Sequence, residues 1–218
     1  MHLHAAIVPP RHVLDEVGAA LQEACRSAAA AADGPAASRL QTILRRTSRG
    51  ARSAGPGGPG DSSRLDVIPA GDLSIPVAGF GFVTGGDTLR LTAALKAAAA
   101  EIARPTVHFA GGAALEFDGD LNVWVRIAGD INGLREAARG ITKVVEPLGF
   151  YVDRRKFRLL MAVGTVNDAT SAPYLQGFID ALDAFSGQEW QLDHVHLMRL
   201  SYVAGQQDEV VDRLPLHR

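Results

Sequence analysis

The sequence has little cysteine, no long apolar run and no excess of charge of either sign. Its single cysteine, Cys25, excludes a disulfide framework and a cysteine-based zinc site. No apolar stretch reaches the ~18 residues that a membrane-spanning helix needs, and the first residues lack the basic segment of a signal peptide. The 22 lysines and arginines are balanced by 24 aspartates and glutamates, which excludes a basic field over the whole molecule. We therefore expect a cytoplasmic protein without a membrane segment.

The basic residues that are present concentrate in one segment. Seven arginines and two aspartates lie between Arg26 and Arg64, and residues 53–63 consist almost entirely of glycine, proline, serine and alanine. Such a composition cannot bury an apolar face, so it predicts a flexible insertion over residues 32–64 within one domain spanning 1–218. Two interpretations of the insertion are open: a solvated surface segment, or a mobile arm that contacts phosphate.

Strand and helix patterns alternate along the rest of the chain. They predict strands over residues 3–8, 73–83, 106–117, 121–128, 157–166 and 190–202, and helices over residues 13–31, 87–103, 130–148 and 172–185. Asp87 is the expected N-cap of the second helix, and Gly149 the expected C-cap of the third. Because each half has the order strand, helix, strand, helix, strand, we predict an internal duplication. The expected fold is α+β and bilobed, with two pseudo-symmetric antiparallel sheets that face a central cleft and helices on the outside.

The two-residue period of a strand predicts which side chains face that cleft. In each strand the apolar residues define the face that packs in the core, and the residues between them face the cleft. The predicted cleft residues are Ser74, Pro76 and Ala78; Leu160, Ala162 and Gly164; Asn122, Trp124 and Arg126; and His194 and His196. We expect Ser74 and Leu160 to occupy equivalent positions on the two sheets and to point into one cleft.

The order and spacing of these segments resemble the 2H phosphoesterases, in particular the bacterial RNA 2′,3′-cyclic phosphodiesterases or 2′-5′ RNA ligase-like proteins. Residues 68–77 (IPAGDLSIPV) with Gly81 resemble the first motif region of that family. Residues 147–158 (PLGFYVDRRKFR) resemble the approach to its second motif, and residues 192–199 (LDHVHLMR) its closing strand. The resemblance covers nearly the whole chain apart from the basic insertion. It implies the bilobed fold, no cofactor, and a cleft that binds a nucleotide or an RNA end.

The sequence departs from the family at the catalytic positions. In the family each motif is His-x-Thr or His-x-Ser, and the two histidines act as general base and general acid. Here the corresponding positions hold Ser74 and Pro76 in the first motif and Leu160 and Ala162 in the second. Leu160 and Ala162 cannot transfer a proton or donate a hydrogen bond. Since each positioned acid or base contributes about 10²–10⁴-fold, we predict a catalytically degenerate protein that keeps a cleft for a nucleotide, an RNA end or a protein partner.

Four histidines support an alternative function. His194 and His196 are two residues apart on one strand, and His2 and His4 form a second pair of the same kind. Relocated histidines of this sort would make an active 2′,3′-cyclic phosphodiesterase, or would supply imidazoles to a metal ion. In the other interpretation they are polar residues on an open sheet face without a ligand, and no metal is bound.

Basic and aromatic residues near the motifs are candidates for ligand binding. Arg154, Arg155 and Arg158 border the cleft in the resemblance, and a guanidinium group can hold a phosphate through two hydrogen bonds. Trp124 and Arg126 would stack a base and hold a phosphate. The alternative for the arginines is a solvated approach to a strand, and for Trp124 a structural role in the floor of the cleft.

Overall fold

The computed structural model describes residues 1–33, 64–117, 119–154, 157–203 and 207–217. In these ranges the helices are α1 (Arg11–Asp33), α2 (Gly85–Ala99), α3 (Ile131–Lys143) and α4 (Ala172–Asp183). The strands are β1 (His2–Ile7), β2 (Asp66–Val67), β3 (Ile75–Phe82), β4 (Thr106–Ala114), β5 (Asn122–Gly129), β6 (Leu160–Thr165), β7 (Trp190–Gln191), β8 (His194–Arg199) and β9 (Glu209–Pro215). None of these helices is long and apolar enough to cross a membrane.

The strands form two antiparallel sheets, which confirms the predicted α+β class. The strand order is β3-β1-β8-β9 in the first sheet and β2-β6-β5-β4-β7 in the second. β1 lies between β3 and β8 as β5 lies between β6 and β4, so the two sheets repeat one three-stranded arrangement, as expected for a duplication. The strand predicted over residues 190–202 is in fact two strands: β7 belongs to the second sheet and β8 to the first.

The helices pack in pairs that combine the two halves of the chain. α1 of the first half packs on α4 of the second, and α2 packs on α3. A Cβ atom built on Gly177 of α4 would lie 3.1 Å from the Ala31 Cβ and 3.3 Å from the Ala28 Cα of α1, so the small residues permit a close approach. The buried apolar residues of both halves form one continuous core. The two halves therefore share one hydrophobic core.

Two helix ends differ from the prediction for local reasons. The N-cap of α2 is Thr84, whose Oγ1 accepts a hydrogen bond from the Asp87 N–H, so the helix begins two residues before Asp87. The helix predicted to reach residue 148 ends at Lys143, because Pro147 has no N–H to donate and would clash with the carbonyl four residues earlier. A 3₁₀ turn over Glu146–Leu148 follows, and Gly149 caps it with φ +79° as predicted.

The predicted insertion over residues 32–64 lies almost entirely outside the described residues. Ala32 and Asp33 complete α1, and Arg64 precedes β2. Residues 34–63 are not described.

Candidate functional site

The second sheet presents the side chains of its motif positions on one face. Arg126 pairs with Leu160 and Trp124 with Ala162 in the β5–β6 ladder. Residues directly opposite each other in an antiparallel pair share a face, so all four side chains lie on the same side of the sheet, as their alternation in the sequence predicts. The side chains between them, including those of Val125 and Met161, are fully buried.

The first sheet places its motif positions differently. Pro76 pairs with Ala6 of β1, and Ala6 pairs in turn with His196 of β8, so these residues share a face. Ser74 precedes β3 and reaches a cavity of about 210 Å³ that also contacts Met198 and Asp208. Leu160 reaches a different cavity of about 700 Å³. Ser74 and Leu160 thus line different cavities, and the expectation that they occupy equivalent positions and point into one cleft between the sheets stays a prediction.

The 700 Å³ cavity is walled by α3, by the ends of β5 and β6 that meet near Leu160, and by the segment that leads into β6. We name it the arginine cavity after the five arginines that line it: Arg126, Arg135, Arg139, Arg154 and Arg158. The described residues that line it include no carboxylate and no histidine; the others are Val77, Phe117, Ile127, Ala138, Thr142, Phe157, Leu159 and Leu160. Three of the arginines proposed from the sequence therefore meet in one place. Arg155 lies outside the described residues.

Two of these arginines are held by carboxylates that do not line the cavity. Arg126 Nη1 lies 3.4 Å from Asp183 Oδ1, and its Nη2 lies 3.8 Å from Glu116 Oε1. Arg154 pairs with Glu146 of the 3₁₀ turn. Exposed ion pairs of this kind contribute about 0–1 kcal/mol, so they orient the guanidinium groups without preventing them from binding another anion.

Arg158 is held by an aromatic ring instead of a carboxylate. Its guanidinium carbon lies 3.5 Å from the centroid of Phe117, well within the distance at which a cation is attracted to a ring face. Among the described residues Arg158 has no carboxylate partner, so its full charge is directed at the cavity.

The sequence analysis missed the two arginines that α3 contributes. Arg135 and Arg139 are exposed and four residues apart, so they lie on the same side of the helix. α3 begins at Ile131 because Asp130 caps it: the Asp130 side chain accepts a hydrogen bond from the Gly133 N–H at 2.9 Å. Neither arginine has an ion-pair partner among the described residues. The spacing of the two arginines, beside the buried stripe that contains Ala138, indicates that they share one side of α3. The sequence does not say which element α3 packs against, so it does not place them at a cavity.

Trp124 contacts the cavity only through Phe117. Its indole Nε1 donates a hydrogen bond to Asp120 Oδ2 at 2.7 Å, and its ring meets Phe117 edge to face at 6.1 Å. Burial disfavours the Asp120 carboxylate, but hydrogen bonds from the Asn122 N–H, the Trp124 indole and other donors outweigh burial and hold the pKa of Asp120 below its ordinary value. Trp124 is thus fixed by a permanent anion and supports Phe117 beneath Arg158.

The histidine pairs lie on the first sheet, away from the arginine cavity. His194 and His196 have ring centroids 6.4 Å apart and line a separate cavity of about 150 Å³ with Trp190. Burial, the Arg213 charge and the His194 ring lower the pKa of His196, so its imidazole is neutral near pH 7.

The second histidine pair comes close to the first but does not complete a metal site. β1 lies beside β8, and His4 pairs with Met198, two residues from His196. His4 Nε2 lies 3.3 Å from Asp208 Oδ2, whereas the His2 ring contacts Phe82 and Tyr202. In the part of the chain that the structure describes, no three His, Cys, Asp or Glu side chains are grouped so that they could hold a metal ion.

Neither the models of protein families nor the curated proteins give a match to this sequence. Solved structures of low sequence identity do match over the full length. TT0787 of Thermus thermophilus is 17% identical, with 99% of this chain and 98% of that chain covered and a TM-score of 0.59. A phosphoesterase is 14% identical, with coverage of 100% and 98% and a TM-score of 0.61. The E. coli protein LigT complexed with 3′-AMP is also 14% identical, with coverage of 100% and 98% and a TM-score of 0.60.

These similarities show the class of fold to which the chain belongs. The chain has the bilobed α+β fold of a phosphoesterase, with two antiparallel sheets and four helices in its described part. More particularly, it is the fold of LigT, and the predicted bilobed α+β architecture is confirmed.

Proposed function

We propose that this protein is a catalytically degenerate 2H-type phosphoesterase that binds a phosphorylated nucleotide or RNA end in the arginine cavity without hydrolysing it. The observation that carries the proposal is the convergence of five arginines on one cavity beside Leu160, which stands where the family has a catalytic histidine. Positive charge for a phosphate is retained there, while the groups that move protons are missing.

The chemistry of the lining supports binding over catalysis. A guanidinium group stays protonated at all relevant pH values, so it stabilises an anion but cannot act as a general acid or base. The hydroxyl of Thr142, which lines the cavity, donates to backbone carbonyl oxygens of its own helix at 3.0 and 3.1 Å. Among the described lining residues no other side chain titrates. Proton transfer to a leaving alkoxide therefore has no agent in this cavity.

The size of the cavity fits a nucleotide. About 700 Å³ falls within the range of roughly 300–1,000 Å³ that small-molecule sites occupy. Phe117, Phe157 and Leu159 offer apolar surface to a base, and the arginines offer paired N–H donors to phosphate oxygens. The complex of E. coli LigT with 3′-AMP supports a nucleotide as the ligand class for this fold.

Calorimetric titration with 3′-AMP, together with an assay of 2′,3′-cyclic AMP hydrolysis, tests the proposal. We expect 3′-AMP to bind, Arg158→Gln to weaken it by about tenfold or more, and the cyclic nucleotide to survive at the rate of the buffer control. Absence of binding would overturn the proposal. Hydrolysis that disappears in His194→Ala or His196→Ala would overturn it in favour of the alternative with relocated histidines.

A further inference from the structure

The arginine cavity carries more uncompensated charge than a single phosphate ester needs. Arg126 and Arg154 are partly neutralised by Asp183, Glu116 and Glu146. Arg135, Arg139 and Arg158 have no carboxylate partner among the described residues. A cyclic phosphodiester has a single negative charge and a terminal phosphate about −1.5 to −2. Three free guanidinium groups therefore suit a ligand with more than one phosphoryl group.

The free charges lie on two different walls. Arg126 of β5 and Arg158, in the segment that leads into β6, form one wall, which we name the sheet wall; Phe117 supports Arg158 there. Arg135 and Arg139 belong to α3, and side chains four residues apart on a helix have Cβ atoms about 5–6 Å apart. The α3 pair can thus bind one phosphoryl group between its two guanidiniums, while the sheet wall binds another.

The remaining lining gives the ligand an apolar part. Val77, Phe157, Leu159 and Leu160 contribute hydrocarbon surface to the same cavity. Inorganic phosphate alone would leave this surface wet and most of the volume of about 700 Å³ unfilled. The lining therefore favours an amphipathic anion, in which an aromatic or other apolar body is attached to the charged groups.

We infer that the ligand of the arginine cavity is an organic oligophosphate with at least two phosphoryl groups, and that Arg135 and Arg139 bind the second of them. The inference rests on the proposed function, whose cavity it uses, and deepens it by stating how many phosphoryl groups the ligand carries and which residues bind the second. It also assigns a binding role to two residues of α3, outside both motif strands.

Titration with AMP, ADP and ATP at constant ionic strength, with pyrophosphate as a probe that lacks the apolar body, tests this inference. We expect ADP to bind at least about tenfold more tightly than AMP, and pyrophosphate to bind more weakly than ADP. The double variant Arg135→Gln/Arg139→Gln should lose more affinity for ADP than for AMP, so that the difference between AMP and ADP falls by about tenfold. Lys143→Gln is the matched control, since Lys143 is an exposed cation of the same helix that does not line the cavity.

Each outcome separates the inference from the proposed function. Equal affinities of the wild-type protein for AMP, ADP and ATP would overturn the inference and leave the proposed function standing. No binding of any nucleotide would overturn both. If the double variant loses AMP and ADP to the same extent, or if Lys143→Gln loses as much as the double variant, the assignment of the second phosphoryl group to Arg135 and Arg139 is overturned. Because both arginines are exposed, thermal unfolding of the double variant should match the wild type. If it melts early, the single variants Arg135→Gln and Arg139→Gln repeat the test by removing one charge at a time.

Discussion

Two cavities occupy corresponding places in the two halves of the molecule but differ in charge. Each lies between the helix that follows a central strand and the segment that leads into the neighbouring strand. The arginine cavity lies between α3 and the approach to β6, and a cavity of about 550 Å³ lies between α1 and residues 67–73. We name the second one the apolar cavity. Its described lining contains a single charged residue, Arg26, which pairs with Glu23 of its own helix.

The helix positions that line the two cavities have the same spacing. Besides Arg26, α1 contributes Gly18, Leu21, Gln22 and Cys25, and α3 contributes Arg135, Ala138, Arg139 and Thr142, so these two sets of four follow the pattern i, i+3, i+4, i+7. The duplication thus repeats the shape of the groove, while the number of arginines that line it decides how strongly it attracts an anion. Among the described residues the second half supplies five such arginines and the first half one.

Reversing the charge of one arginine should break this comparison most strongly. We expect Arg158→Glu to weaken nucleotide binding by about 100-fold, because it removes a charge-assisted hydrogen bond and places a carboxylate against the phosphate. The same change at the apolar cavity, Arg26→Glu, should leave the affinity unchanged. Calorimetric titration of both variants with the same nucleotide measures the effect. Equal losses in the two variants would mean that only the overall charge of the protein matters.

The packing of α1 on α4 should give the next largest effect, this time on stability. A side chain at Gly177 has to enter the space next to Ala28 and Ala31, so Gly177→Val should lower the free energy of unfolding by about 1–3 kcal/mol. No atom lies within 4 Å of a Cβ built on Gly18, so Gly18→Val should cause no such loss. Urea unfolding compares the two variants. Because the helix pairs join both halves, we expect one cooperative transition, and two separate transitions would show that the lobes fold independently.

Much of this arrangement follows from the sequence by simple periodicity. Alternation in β5 and β6 is enough to place Trp124 and Arg126 on one face with Leu160 and Ala162, because a strand with one buried face has a fixed register. β9 was missed because Glu209–Pro215 is an edge strand with mostly exposed residues, which leaves no alternating apolar signal.

Positions that depend on the packing of distant elements were not accessible in this way. The role of Arg139 requires α3 to lie beside the end of β6, and periodicity within α3 does not reveal that. That Ser74 and Leu160 line different cavities likewise depends on how the two sheets are placed. The segment that leads into β6 is tied to the edge of β3 by backbone hydrogen bonds of 2.8 and 3.0 Å between Gly79 and Asp153, and no local pattern predicts this bridge.

The open face of the first sheet carries histidines, whereas that of the second carries arginines. A change of pH should therefore affect the two sheets differently. The pKa of His196 lies below its ordinary value in the folded protein because of burial, the Arg213 charge and His194. The unfolded chain therefore takes up the proton first as pH falls. The stability contribution of the neutral ring is complete above the ordinary histidine pKa of about 6.5 and is lost as pH falls through the lower folded value.

We therefore expect the free energy of unfolding to fall between pH 7.5 and pH 5.5, and to fall less in His196→Gln. The matched control is His12→Gln, since His12 is exposed on α1. Urea unfolding at several pH values measures the slope. If the free energy of unfolding depends on pH in His196→Gln as it does in the wild type, the imidazole of His196 is not desolvated. The pH dependence of nucleotide affinity should be the same in both variants as in the wild type.

The smallest expected effect concerns the arginine-rich segment of the sequence. Residues 38–63 contain five arginines and one aspartate, whereas the rest of the chain is net negative. If this charge contacts RNA, each neutralised phosphate releases counterions. In a plot of the logarithm of affinity against the logarithm of salt concentration, each such contact contributes about −0.7 to the slope.

Deleting residues 38–63 should flatten that slope for a single-stranded RNA by one or more such contributions. Replacing only the five arginines by glutamine should have the same effect, because the charge and not the length of the segment is responsible. Mononucleotide affinity should stay unchanged in both variants, since both keep the five arginines that line the arginine cavity. If the salt slope survives both changes, residues 38–63 contribute nothing to it. The electrostatic part of RNA binding would then be assigned to the arginine cavity, and the difference between the two halves would explain where this protein binds anions.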